Sequence, residues 1–155
     1  AAMRAAGVDF EIVSGVTAAS AAAAAAQISL TDRTTASQLI FLSAHRHTID
    51  YGTDWRSLPC SGVTLAIYMP GYHYKQISRD LQAAGWNADT PCLIVSHACT
   101  DRQQIMRTDL ASLAAVADVP APAMLLVGTA TAGQVLEAIS LAAKAESFAG
   151  HRIVL

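Results

Sequence analysis

The chain has 155 residues, 53% of them hydrophobic and only 14% charged, with a formal net charge of −2. That length fits one compact domain, or one and part of another, and the apolar excess fits a sheet covered on both faces or a surface that a partner hides. The ten basic residues are scattered with no basic stripe among aromatics, which argues against nucleic acid as a direct partner.

In chain order, "FEIV" (Phe10–Val13) is short, apolar and β-rich, and it reads as a strand broken by Ser14-Gly15. Val16–Gln27 reads as a helix, because alanine has the best helix propensity. It is an odd core helix, offering methyl groups where Leu or Ile would fill space. Its apolar run, Ala18–Ala26, is far short of the roughly 20 residues that span a bilayer, so no membrane partner is expected. No signal peptide is expected either, since no charged region precedes an apolar one. "QLIFLSA" (Gln38–Ala44) is the next strand, and residues 45–61 read as a polar loop with one short turn at "DWRSL". "VTLAIYM" (Val63–Met69) is a strand stopped by Pro70-Gly71. "YKQISRDLQAAG" follows as a helix with Ile77, Leu81 and Ala84 on one face and Gly85 as its stop. "PCLIVSH" is a strand, and propensity alone makes all of "TDRQQIMRTDLASLAAVA" helical. Pro122–Gly128 is the last clear strand, and "AGQVLEAISLAAKA" (132–145) reads as an amphipathic helix. Alternating apolar strands and helices predict an α/β layer fold.

The motifs absent from the chain narrow its chemistry. There is no GxGxxG, no GxxxxGK[ST] and no GxSxG, and with three glutamates a paired-carboxylate hydrolase would have to rely on aspartate. His45-x-His47 and Cys92…His97-x-Cys99 contain metal-ligand types, but no set supplies the three or four ligands at fixed spacing that zinc requires. The expected reading is a loop histidine pair and half-buried thiols, with no metal. Three cysteines without CxxC spacing suit a reducing cytoplasm. Ligands of open α/β sheets bind beyond the carboxyl ends of strands, and three such ends carry distinctive residues: "SGVTA", "YMPG" and "SHACT".

Taken together and in order, "FEIVSGVTAASAAAAAAQISLTDR", "SAH", "DWRSL", "TLAIYMPG", "LQAAGWNADTPCLIVSHACTDRQ" and "APAMLLVG" resemble the C-terminal half of the tetrapyrrole methylase family. The nearest pattern is that of uroporphyrinogen-III C-methyltransferases. The resemblance runs from about Val8 to Gly128 and implies a mixed sheet of about five strands with helices on both faces. It implies residues 1–30 as the last strand and linking helix of an N-terminal domain, and 31–155 as the C-terminal α/β domain. It implies S-adenosylmethionine as methyl donor, S-adenosylhomocysteine as product, a tetrapyrrole substrate and a homodimer. Thr17, Ala18, Met69 and Ala98 match the family's cofactor contacts, and Arg33 matches a residue facing the substrate's acidic side chains. The resemblance also implies that Gln103–Thr108 is a strand, against propensity, and that only "DLASLAAVA" after it is helical. Ser14, Asp32 and Ser96 depart from the family's Pro, His and Glu, and Asp32 would set a negative charge beside Arg33. The family's G-x-G-P-G-D loop, its G-G-D-P stretch and its acid/base residues have no match here, so no catalytic residue is expected in this chain and the chain alone is expected to be inactive. Two other functions fit the same fold: a non-catalytic binding or assembly module, and methylation of another acceptor such as ribosomal RNA or diphthine.

Overall fold

The computed structural model describes residues 2–44, 53–117 and 119–132. The loop histidines 45 and 47 and the expected helix at 132–145 thus lie outside the described residues, save for its first position. Among the described residues eight elements carry the fold: α1 (Ala2–Ala5), α2 (Ala18–Ala26), β1 (Ala36–Ser43), β2 (Gly62–Tyr68), α3 (Tyr74–Ala83), β3 (Pro91–Ser96), β4 (Gln104–Asp109) and β5 (Ala123–Val127). Short 3-10 turns stand at Trp55–Ser57, Ser112–Ala115 and Thr129–Ala132.

The strands form one mixed sheet in the order β1-β2-β5-β3-β4. Only β1 and β2 are parallel; β5 runs antiparallel to both β2 and β3, and β3 antiparallel to β4. The expected five-stranded mixed sheet is therefore present, and β4 is the strand that propensity misread. Its residues pair one-for-one with β3, from Gln104 opposite Ser96 to Asp109 opposite Pro91. A ladder of backbone hydrogen bonds outweighs the weak helical preference of Gln, Met and Arg.

Alternation along the central strands divides the core into two layers. Val63, Leu65, Ile67, Cys92, Ile94, Leu125 and Val127 face α3, whose buried Tyr74, Ile77 and Leu81 follow the helical spacing. Leu110 and Leu113 complete that layer, and the buried Ser78 hydroxyl donates to the Leu110 carbonyl at 2.6 Å. On the opposite face Ala66, Leu93, Val95, Met124 and Leu126 meet Ala19, Ala22 and Ala26 of α2. The two alanines at 19 and 22 are 0% exposed, so the methyl-only stripe is a fitted contact surface that lets the helix axis lie close to the sheet. At its far end the Arg107 guanidinium donates to the carbonyls of Ala26 and Thr131, at 3.1 and 3.0 Å, where a helix leaves its last carbonyls unpaired.

Two expected elements differ. Phe10–Val13 is not a strand: these residues have no ladder partner among the described residues, and Ile12 and Val13 are 85% and 78% exposed. A strand exists only when a neighbour takes up its N–H and C=O groups, and β-rich composition does not supply one. The helix expected over Asp109–Ala117 is a single 3-10 turn, Ser112–Ala115. Asp109 accepts from the Ser112 amide at 2.7 Å to start it, and Val116 is already extended.

The thiols have a measurable consequence. Cys92 is 1% exposed and burial, helped by Asp109, pushes its thiol up to about 12, whereas Cys60 and Cys99 are exposed. A disulfide reagent at pH 8 is expected to modify two thiols quickly and the third only after denaturation. Three fast equivalents would contradict the packing of β3.

Candidate functional site

The sequence-implied positions sort by sheet edge. The parallel pair fixes the frame, because Ala36 lies opposite Gly62 at one edge and Ser43 opposite Tyr68 at the other. Tyr68, Ser96 and Ala123 share that second edge, through the pairings of Tyr68 with Met124 and Ser96 with Ala123. Met69 and His97, each one residue beyond its strand, have positive φ of 50° and 47°, and Cys99 has 62°. Such angles are uncommon for bulky residues, and three at one edge mark it as a place where surrounding structure holds the backbone in a costly shape.

Thr17 reaches the same edge from the α2 side. It is the N-cap of α2, but its hydroxyl makes no cap hydrogen bond and instead pairs with the Tyr68 hydroxyl. The Thr17 side chain thus leaves the first-turn N–H groups of α2 without its hydroxyl as acceptor, and Ala18 is exposed beside them. Ala98 packs on the α2 layer of the core, and the neighbouring Cys99 thiol lies 3.8 Å from the Ala21 carbonyl. Thr17, Ala18, Met69 and Ala98 therefore gather around one sheet edge.

Beside Met69 opens a cleft of about 490 Å³, lined by Met69–His73 on one side and by Val119 and Ala121–Ala123 on the other. Ser96 holds the second wall in place. It is 0% exposed, and its hydroxyl donates to the Pro120 carbonyl while meeting the His97 Nδ1 at 2.8 Å. With its one proton given to Pro120, the hydroxyl can only accept from the imidazole, which places a proton on Nδ1. The His97 amide donates to the Pro122 carbonyl at 2.9 Å. Thus Ser96, which departs from the expected glutamate, is a strut between β3 and the cleft wall. Sequence reasoning missed this wall; its only signal was the proline pair in "VPAPAM".

Arg33 lies elsewhere. It sits in the turn before β1, at the opposite sheet edge, and β1's length puts it roughly 25 Å from Met69 at about 3.3 Å per residue. Its neighbour Asp32 is committed to that turn. Its carboxylate accepts from the Thr34 amide and hydroxyl, both at 2.7 Å, and from the Thr35 amide at 2.6 Å and the Thr35 hydroxyl. The Thr35 hydroxyl first, then these other donors, hold it well below the usual carboxylate range. Asp32 is thus a turn-forming residue, its charge taken up by four local donors.

Among the described residues no group of three or more His, Cys, Asp or Glu is placed to hold a metal ion, and no helix is long and apolar enough to cross a membrane.

Known proteins carry the same pattern. The family model for tetrapyrrole (corrin/porphyrin) methylases matches residues 1–114. A siroheme synthase of Cronobacter sakazakii is 41% identical over 128 residues, covering 82% of this chain and 27% of that protein. One from Zymomonas mobilis is 39% identical over 124 residues, 79% of this chain and 26% of that protein. Among solved structures, uroporphyrin-III C-methyltransferase from Thermus thermophilus, complexed with S-adenosylhomocysteine, superposes with a TM-score of 0.69 at 25% identity, over 81% of this chain and 53% of that one. A cobalt precorrin-4 methyltransferase superposes with a TM-score of 0.74 at 30% identity, over 84% of this chain and 56% of that one. The chain thus spans about a quarter of the siroheme synthases it matches and little more than half of the solved methyltransferases.

Proposed function

The chain belongs to the tetrapyrrole methylase family, and from that premise we propose that it forms one wall of the methyl-donor site of an S-adenosylmethionine-dependent C-methyltransferase acting on uroporphyrinogen III. The observation that carries the reading is the gathering of Thr17, Ala18, Met69 and Ala98 at the sheet edge where β2 and β3 end. Ligands of open α/β sheets bind at such edges.

The residues present fit a nucleoside sulfonium. Bound S-adenosylmethionine supplies an electrophilic methyl group, and S-adenosylhomocysteine is what remains. The uncapped first turn of α2 offers N–H donors to an acceptor on the ligand, next to the Thr17–Tyr68 hydroxyl pair. Met69 is 58% exposed and lays a soft thioether along the cleft, where it can follow the outline of an apolar or flat group. The carbonyls of Pro120 and Pro122 accept from the Ser96 hydroxyl and the His97 amide, which ties the opposite wall to the end of β3. This chain's contribution is positioning and exclusion of water, which is most of what a direct methyl transfer asks of a protein. The exposed Val8, Phe10, Ile12, Val13 and Val16 form surface that the rest of such an enzyme, or a second copy in a homodimer, would cover.

Calorimetric titration of the full-length protein with S-adenosylhomocysteine is expected to give saturable binding. Incubation with uroporphyrinogen III and S-adenosylmethionine is expected to give methylated product. Absence of saturation would leave a non-catalytic module of the same fold. Saturation without turnover of uroporphyrinogen would move the acceptor to another molecule.

A further inference from the structure

The cleft beside Met69 has an aromatic rim that no step above uses. Tyr72 lines it and is 77% exposed among the described residues, an unusual position for a large ring. Its backbone is firmly held: Pro70 is buried, Met69 and Gly71 have φ of 50° and 52°, and the His73 amide closes the turn onto the Pro70 carbonyl at 3.0 Å. Across the gap stand Val119, Ala121, Pro122 and Ala123, all small or flat and apolar. Among the described residues no Asp, Glu, Lys or Arg lines the cleft. A tetrapyrrole rich in carboxylates would find no Arg or Lys fork to pair with there, only the single His73 imidazole. An uncharged flat base meets a surface of its own kind.

We propose that Tyr72 is the wall on which the adenine base of the nucleoside cofactor stacks, opposite Ala121–Pro122, so that this residue sets affinity for the base. The proposal rests on the S-adenosylmethionine reading given above. Tyrosine suits the task because its ring offers a π-face to any base while only two side-chain torsions have to be frozen.

The test uses the full-length protein. Tyr72→Ala is expected to bind S-adenosylhomocysteine about tenfold more weakly, and Tyr72→Phe to stay within about twofold. Because Tyr72 is exposed, the melting temperature of both variants should match the wild type, which separates a lost contact from a damaged fold. In Tyr72→Trp, the added indole emission should be quenched by S-adenosylhomocysteine and by adenosine, and not by homocysteine. Wild-type affinity in Tyr72→Ala, or an indole at 72 that ignores adenosine while S-adenosylhomocysteine still binds, overturns the proposal and leaves the cofactor reading standing. Failure of the wild type to bind S-adenosylhomocysteine overturns both, and shows before any variant is made.

Discussion

Replacing Gly128 by alanine is expected to cost the fold about 4 kcal/mol, combining backbone strain with forced displacement of a neighbouring strand. Gly128 follows the end of β5 with φ +135°, a conformation that side chains with a Cβ rarely adopt. A Cβ at this position would lie 2.5 Å from the Val63 carbonyl oxygen and 3.3 Å from the Thr64 Cα. Those are backbone atoms of β2 inside the sheet, so no flexible tip can swing aside. The surrounding corner is also tied down: the Gly128 amide donates to the Pro91 carbonyl at 3.0 Å, and the Thr131 hydroxyl lies 2.9 and 2.8 Å from the carbonyls of Pro91 and Gly128. Urea denaturation of the two proteins measures the difference. Gly15 is the control: a Cβ there would meet nothing within 4 Å, and Gly15→Ala should change stability by less than about 0.5 kcal/mol.

Ala22→Leu should destabilise the protein by about 2 kcal/mol and weaken binding at the sheet edge as well. Ala22 is 0% exposed between α2 and the sheet, where it shares a layer with Leu93, Met124 and Leu126. Three added carbons have no void to enter in an interior packed at crystal density, so the helix has to move outward. The helix carries Thr17 at its start, and outward motion breaks the hydroxyl pair with Tyr68. Ala24→Leu, on the exposed side of the same helix, is expected to stay within about 0.5 kcal/mol. Thermal melts and S-adenosylhomocysteine titrations of the two variants check both halves. Equal behaviour would mean that the alanine stripe is not a fitted surface.

This second case shows where the sequence was legible and where it was not. Helical propensity placed α2 within two residues, yet nothing in a run of alanines says which methyls face a sheet. Burial at 19, 22 and 26 appears only once Leu93 and Leu126 stand beneath them. The same limit explains Phe10–Val13, whose residue types suit a strand but which has no partner among the described residues. Conversely, Gln104–Asp109 suits a helix and is a strand because β3 stands beside it.

The sequence by itself determined the α/β class, the central apolar strands, the helix at Tyr74–Ala83 with its following glycine, and the set of motifs that identify the family. These rest on local periodicity, turn chemistry and residue identity, all carried along the chain. Only the tertiary structure decided that Thr17, Met69 and Ala98 meet at one edge while Arg33 stands at the other, that Asp32 serves its own turn, and that Ser96 braces a cleft wall formed some 24 residues later. Each depends on which strands lie side by side and in which direction. That is settled by long-range pairing and packing, whose energies no local stretch of sequence contains.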